Sequence, residues 1–403
     1  MPESGVSDFD GIILDGSIRA GKSLPESTSY IDWAMFTYSG ENLGMAGKTL
    51  GALRRNVIAP LKRVLPGRGY KVRDIRSAEM PHLEVSKGRK SNYFHLFGGN
   101  NEKSQDPVQG FTGGGFYFDE VALMPQSFVN QAEGRCSLDE SKFWYNCNPE
   151  GPYNYVKLEY LDKLKEKNLL HLHFSMDDNL SLTAKTRARY ERRWSRGSVF
   201  YRRFILGQWC LAEGLIFDFF SVLPKDGYVV DHLPDDLKSW LVAADYGQDH
   251  PTCFGLAGYS PSMSRWYLVK ELYMRDKTNP AYSNEFKKHI LGYGNGIYPI
   301  EVNIDPGGGG SSLIKQLSED FPNLTVGAAT KKDVAKEIQQ LATAMFLKKF
   351  SIYLPGCPRV VAETANYAWD KKAGERGEDK PLKKEDDGPD MLRYLWQLCL
   401  RYS

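Results

Sequence analysis

The chain has 403 residues, 41% hydrophobic and 25% charged, an ordinary globular composition on a length that suits two domains better than one core. Lys plus Arg number 52 and Asp plus Glu 50, and this net charge of +2 neither requires nor rules out a nucleic acid partner, because a basic stripe hides easily in a neutral total. Six scattered cysteines without a Cys-x-x-Cys pair exclude a zinc ribbon and a compact disulfide framework, and fit a reducing compartment.

In chain order, Met1 to Asp10 is polar and acidic, unlike a signal peptide. No stretch approaches the ~18 uninterrupted apolar residues of a membrane span, so a soluble intracellular protein is expected. Gly11 to Asp15 reads as a buried strand that stops at Gly16, and Ser23 to Phe36 as a helix with Pro25 tolerated in its first turn. Phe116 to Phe118 is a short aromatic strand ending in Asp119 and Glu120. Lys142 to Cys147 repeats the pattern, ending in Asn148 and Pro149. With a helical segment at 153–167, this predicts an α/β domain with a largely parallel sheet. His171 and His173 form the closest histidine pair, read as strand-facing and structural.

Residues 185–203 are dense in Lys and Arg, with Tyr190, Trp194, Phe200 and Tyr201 interleaved. Two readings stand for them, a DNA-backbone contact and a solvated linker helix. Beyond the junction near Gly214, Trp240 to Asp245 and Tyr298 to Asp305 are strands ending in an acid, with a further strand at Trp266 to Tyr273. Val334 to Lys348 is predicted helical, 370–390 an exposed loop, and Met391 to Arg401 a closing helix.

Gly16-Ser17-Ile18-Arg19-Ala20-Gly21-Lys22-Ser23 matches Gly-x4-Gly-Lys-Ser between a strand and a helix. Glycines let the backbone curl its N–H groups toward phosphate oxygens at a helix N-terminus. Lys22 would neutralise the β/γ-phosphates and Ser23 bind Mg²⁺. Asp119 suits the Mg²⁺ shell, and Glu120 suits activation of the attacking water. Asn148 either senses the γ-phosphate or starts a turn. The cation needed at the transferring phosphoryl group is Arg19 in cis or Arg135 from a neighbouring subunit, with Arg19 preferred. In the second half, Asp245, Asp305 and the Asp386-Asp387-Gly388-Pro389-Asp390 run end or precede elements. If the fold brings them together, two Mg²⁺ or Mn²⁺ ions would offset their repulsion and activate water on a phosphodiester. Otherwise they are solvated turn and cap acids.

These residues carry a resemblance to the large terminase subunit of tailed bacteriophages, a DNA-packaging ATPase and nuclease, over nearly the whole length. GSIRAGKS is similar to that family's phosphate loop, FYFDEVALMP to its acidic strand motif, and YNCNPEGPYNYVK to its coupling motif. FYRRFILGQWCLAEGLIF resembles its bridge, and LVAADYG, NIDPGG and DDGPDMLRYLWQ its three nuclease motifs.

The resemblance implies a P-loop ATPase at 1–180, a linker at 181–213 and an RNase H-like nuclease at 214–403. ATP and Mg²⁺ would be held by Gly16, Ser17, Arg19, Ala20, Gly21, Lys22, Ser23, Asp119 and Asn148, with Glu120 and Arg19 catalytic. Two Mg²⁺ or Mn²⁺ ions would be held by Asp245, Asp305 and Asp390. It also implies double-stranded DNA, a portal or procapsid and a small terminase subunit as partners. A five-membered ring is expected when packaging, a monomer in isolation, all in the host cytoplasm. Asp387 stands where the family often has His, so it either adds a metal-facing carboxylate or replaces an orienting imidazole. Glu363 and Tyr367 fit the pattern as supports of the nuclease fold. The segment before the loop is short for the family's adenine contact, which predicts weakened nucleotide affinity. The alternative function is a helicase-like DNA-dependent ATPase whose C-terminal half binds DNA without cutting.

Overall fold

The computed structural model describes residues 9–76, 80–100, 106–248, 250–331 and 333–402. Most of the acidic N-terminal segment, residues 1–8, lies outside them. The chain divides into two compact units, Met1–Glu191 with Tyr201–Leu211, and Arg192–Phe200 with Ala212–Ser403. Segment 181–213, expected as a linker, is shared between the two units. Among the described residues no helix is long and apolar enough to cross a membrane, and all six cysteines are free.

The first unit is built on eight strands: β1 (Gly11–Gly16), β2 (Asn42–Gly47), β3 (Lys71–Ile75), β4 (His82–Lys87), β5 (Lys90–Gly98), β6 (Gly115–Asp119), β7 (Lys142–Asn146) and β8 (Leu169–Phe174). Their order is β3-β4-β5-β2-β6-β7-β1-β8, parallel from β5 to β8, with the β3-β4-β5 edge antiparallel. Central strands such as β6 are buried on both faces, which explains their near-continuous apolar runs. The helix Ser23–Thr37 packs on the sheet through Tyr30, Ile31, Ala34 and Met35. Tyr30 is fully buried, and its hydroxyl lies 2.9 Å from the carbonyls of both Gly44 and Gly115, which share its one donated proton, so its polar tip is satisfied inside the core. The segment predicted helical at 153–167 is a short helix, Tyr155–Glu159, followed by one tight turn at Leu161–Lys163.

The second unit holds seven strands: β9 (Val229–Val230), β10 (Lys238–Asp245), β11 (Thr252–Ser260), β12 (Arg265–Met274), β13 (Glu301–Ile304), β14 (Val326–Ala328) and β15 (Phe350–Tyr353). Their order is β14-β13-β10-β11-β12-β15-β9, with β10-β11-β12 antiparallel and β13 parallel to β10, an RNase H-like arrangement. Strand β11 escaped the sequence reading because Gly255 and Gly258 interrupt its apolar pattern. Both mark close approaches: an added Cβ would sit 2.2 Å from Met391 Sδ at Gly255 and 2.6 Å from the Trp240 ring at Gly258. Met391 belongs to the helix Asp387–Cys399, which packs on β10 and β11 and is buried almost all round.

That helix begins earlier than predicted. Asp387, Gly388, Pro389 and Asp390 form its first turn, where proline is tolerated, rather than a run preceding it. The predicted loop at 370–390 also contains the helix Lys371–Glu375, capped by Asp370 through the amides of Lys372 and Ala373. The basic segment is likewise not one solvated helix. It forms Ala184–Glu191 and Val199–Phe204, and Trp194, Phe200 and Tyr201 are buried. Arg187 is held by Asp177 and Glu191, and Arg203 is buried with two hydrogen bonds to the Cys210 carbonyl. Arg192, Arg193 and Arg196 remain exposed.

Candidate functional site

Residues Gly16 to Ser23 run from the carboxyl end of β1 into the helix Ser23–Thr37. The bend needs left-handed backbone at Gly16 (φ 131°) and Gly21 (φ 87°), which glycine supplies without strain. Arg19 also sits there, at φ 60°, an uncommon state for a residue with a Cβ. Asn179 holds it by donating from Nδ2 to the Arg19 carbonyl at 2.7 Å, and the guanidinium lies 5.6 Å from the Tyr190 ring centre. Ser17 and Ile18 donate their amides to the carbonyls of Phe174 and Phe204, 2.9 Å each. The amides from Arg19 onward are therefore those a phosphate would meet.

Lys22 is buried, and its ammonium donates to the carbonyls of Gly16 (3.2 Å) and Ser17 (2.8 Å) and to Asn148 Oδ1 (3.0 Å). Burial pulls its pKa below the ordinary lysine value, against the attraction of nearby carboxylates including Asp15, Glu26 and Asp119. Between the two readings of Asn148, this contact favours the one that ties it to the phosphate loop.

Parallel pairing brings Asp119, the last residue of β6, level with Asn146 on β7. Asn146 Nδ2 donates to Ser23 Oγ at 2.7 Å and to Asp119 Oδ1 at 3.3 Å, so it bridges the two Mg²⁺-binding candidates. The Asp119 carboxyl is pushed up to about 7, mainly by burial and then by Glu120, despite hydrogen bonds from Tyr117 and Ser23. Glu120 follows in left-handed backbone at φ 61°, ψ 42°.

These groups surround one cavity of about 570 Å³, which Arg55, Asn56 and Asn179 also line. Sequence reasoning missed Asn146, Arg55, Asn56 and Asn179, since none stands in a recognisable spacing. Arg55 lies in a π-helical segment, Arg54–Ile58, a distortion often found at functional sites. Arg135, the other cation candidate, does not line this cavity.

Glu26, one turn after Lys22, is buried with neither carboxylate oxygen hydrogen-bonded. Burial, and then repulsion from Asp119, push its pKa well above the usual value. Below pH 4.5 the carboxyl is neutral whether the chain is folded or not. As pH rises the unfolded chain loses this proton first, so folding loses up to about 1.4 kcal/mol per pH unit until the folded carboxyl ionises. Glu26→Gln is therefore expected to raise the melting temperature more at pH 8 than at pH 5 in chelator-treated protein. An equal shift at both would contradict a proton held at Glu26.

In the second unit, parallel pairing of β10 with β13 sets Ala244 against Ile304, so Asp245 and Asp305 leave neighbouring strand ends. Asp390 comes from the first turn of the helix packed on β10. Their convergence shows in Asp245, whose carboxyl is pushed up to about 8 by burial, then by Asp390 and Asp305. Asp305 accepts from the Gly307 amide at 2.8 Å and pairs with Lys331 at 2.5 Å. Asp390 accepts from Lys383 (2.6 Å) and Tyr367 (3.2 Å). These lysines carried no sequence signal.

Asp387 pairs with Arg359 at 3.6 Å, and its carboxyl is pushed up to about 6 by burial, then by Glu363 and Asp386. Glu363 accepts from the Gly388 amide, Tyr273 and Arg359 at 2.7 to 2.8 Å, which anchors the start of the helix. The acids Asp245, Asp305 and Asp390 offer oxygen only, the donor set that Mg²⁺ and Mn²⁺ take.

Together the two units define a two-part architecture, a P-loop fold and an RNase H-like fold in one chain. The chain belongs to the large terminase family. It is 48% identical to the large terminase of a thermophilic bacteriophage, the match covering 99% of this chain and 96% of that one at a TM-score of 0.87. Structures of that relative in complex with ADP (47% identity, 99% and 96% covered, TM-score 0.84) and with ATP-gamma-S (47%, 98% and 94%, 0.81) match as well. No family model and no curated protein matches the sequence.

Proposed function

We propose that this chain is the motor subunit of a viral DNA-packaging machine. It hydrolyses ATP to translocate double-stranded DNA into a procapsid, and cuts concatemeric DNA. What carries the reading is that one chain holds two separate constellations suited to phosphate chemistry. One is Lys22–Asn148 beside Ser23–Asn146–Asp119 at a shared cavity, and the other is the convergence of Asp245, Asp305 and Asp390. The thermophilic phage relative, solved with ADP and with ATP-gamma-S, supports a nucleotide in the first.

In the ATPase unit the loop amides and Lys22 would hold the β/γ-phosphates, Ser23 and Asp119 would hold Mg²⁺, and Glu120 would take the proton of the attacking water. Mg²⁺ supplies charge neutralisation on the phosphates. Asn148 already touches Lys22, so a γ-phosphate that draws the ammonium away from the Gly16 and Ser17 carbonyls also releases or re-aims Asn148. This contact supports Asn148 as the coupling residue. Asn148→Ala is expected to keep ATP binding while cutting turnover roughly 10²-fold, the lower end for losing one positioned polar group. Unchanged turnover and unchanged DNA stimulation would remove it from the mechanism.

Besides Lys22, two cations line the cavity, Arg19 and Arg55, which supports a catalytic arginine in cis, with Arg19 preferred over Arg135 of a neighbouring subunit. Arg19→Ala should lower turnover by roughly 10³-fold, the lower end for an arginine finger. If Arg55→Ala or Arg135→Ala does so instead, with Arg19→Ala near wild type, the assignment moves to that residue.

In the nuclease unit Asp245, Asp305 and Asp390 would hold two Mg²⁺ or Mn²⁺ ions, which activate water and stabilise the leaving oxygen of a phosphodiester. Asp387, paired with Arg359 and among the charges that raise the Asp245 pKa, would either add a carboxylate to that cluster or orient the helix start. The partners that follow are double-stranded DNA, a portal, a small terminase subunit and further copies of the chain in a ring, in the host cytoplasm. Backbone contacts through exposed arginines such as Arg192, Arg193 and Arg196 would grip DNA without reading its sequence. The test is ATP turnover with and without double-stranded DNA, together with Mn²⁺-dependent plasmid nicking, on the full chain. DNA-independent turnover and no nicking with any divalent metal would overturn the proposal.

A further inference from the structure

A third cluster lies at the root of the phosphate loop, among residues that line neither constellation above. β1 and β8 pair in parallel with Asp15 opposite His173 and Ile13 opposite His171, which puts Asp15, His171 and His173 on one face of the sheet. Asp15 Oδ1 lies 2.8 Å from His171 Nε2 and 2.7 Å from His173 Nδ1. Among the described residues this is the trio of His, Cys, Asp or Glu side chains whose ligand atoms all fall within 4.8 Å of one another.

We propose that Asp15, His171 and His173 form a binding site for a divalent transition metal of the zinc class. Two imidazole nitrogens and one carboxylate oxygen, with a position left open for water, are a donor set that Zn²⁺ and Co²⁺ take, whereas Mg²⁺ and Ca²⁺ take oxygen. Bonds of ~2.0–2.1 Å in tetrahedral geometry set neighbouring ligand atoms roughly 3.3 Å apart, so the oxygen–nitrogen spacings of 2.8 and 2.7 Å need only a small outward shift.

Trp209 Nε1 donates to the other carboxylate oxygen, Oδ2, at 2.7 Å, which keeps Oδ1 turned toward the imidazoles. Ligating carboxylates are themselves commonly held by such a partner. Burial raises the Asp15 pKa, but hydrogen bonds from His171, Trp209 and His173 outweigh it, so the group stays ionised below its usual range. Asp15 is nearly inaccessible, whereas the imidazole side chains are 30% and 46% exposed, which gives an ion and its water a way in. The two ring nitrogens that face Asp15 are also those that would face the ion, so binding requires them to present a lone pair in place of a proton.

The site would clamp β1 to β8 directly before the loop. Gly207 (φ 67°) lets the Tyr201–Leu211 segment close over it, since an added Cβ there would lie 3.0 Å from His173 Cε1 and 3.1 Å from the Ser17 nitrogen.

The competing account is a plain hydrogen-bonded triad, and the two differ in metal affinity. Full-length Asp305→Asn protein, in which the oxygen-only acid cluster is disabled, is stripped with chelator and titrated with Zn²⁺ against a chromophoric competitor. A parallel Co²⁺ titration is read by visible absorption. One tight zinc equivalent is expected, with a cobalt spectrum of low-coordinate type. His171→Ala and His173→Gln each remove both signals, and Trp209→Phe weakens zinc by about tenfold. Circular dichroism identifies any variant that fails to fold, and the other histidine substitution then decides. No zinc equivalent, or one that survives the histidine substitutions, overturns the proposal.

Discussion

Glu120→Gln lowers ATP turnover by roughly 10²–10⁴-fold while leaving nucleotide affinity within a few-fold of wild type, the range for removing a general base. The geometry behind this expectation is a strand end that stops abruptly. β6 is buried throughout, closes on Asp119, and turns through left-handed backbone at Glu120. That turn separates two adjacent carboxylates into different surroundings. Asp119 is buried and held by Asn146 and Tyr117, whereas Glu120 is part-exposed in the cavity wall. A residue free to meet water is the better base, and one locked beside Ser23 is the better metal holder. Glutamine keeps the size and removes the charge, so folding is preserved and the readout is chemical. Full turnover in Glu120→Gln would remove this residue as the base.

Asp305→Ala should reduce Mn²⁺-dependent plasmid nicking by roughly 10²–10³-fold or more, as expected when a centre that stabilises transition-state charge is dismantled. Asp305 is buried, fixed by the Gly307 amide, and placed beside Asp245 by the β10–β13 pairing. Its loss takes away one of the two carboxylates at those neighbouring strand ends. The same substitution should also lower the Asp245 pKa from its value of about 8, because Asp305 is one of the charges raising it. Nicking unchanged in Asp305→Ala would sink the metal assignment even if ATP turnover behaved as expected.

How much of this was legible beforehand depended on the kind of signal. The phosphate loop, β6, β7 and β10 stood out because each joins an apolar run to a polar tip at a fixed place in the chain. Asn146 did not, because its role comes from register. It reads as the last residue of a strand until pairing sets it against Asp119. Arg55 enters the cavity only through the π-helical segment, which no local spacing announces. Strand β11 was hidden by two glycines whose purpose is to let Met391 and Trp240 approach.

The acids of the C-terminal half were legible as a set but not as a geometry. The helix Asp387–Cys399 starts one turn earlier than its apolar pattern suggests, because the buried face of its first turn is made of Asp387, Gly388, Pro389 and Asp390. In sequence the pair His171 and His173 reads as structural, with no cysteine nearby; their hydrogen-bond partner Asp15 is distant in the chain and adjacent across a parallel pair.

The central claim is that one chain carries two separate phosphate-cleaving centres. Its most direct test measures ATP turnover and Mn²⁺-dependent plasmid cleavage on the same preparations of wild type and of Asp390→Asn. The account predicts that Asp390→Asn loses cleavage and keeps ATP turnover. Cleavage that persists in Asp390→Asn, or an ATP turnover that falls with it, would contradict the account.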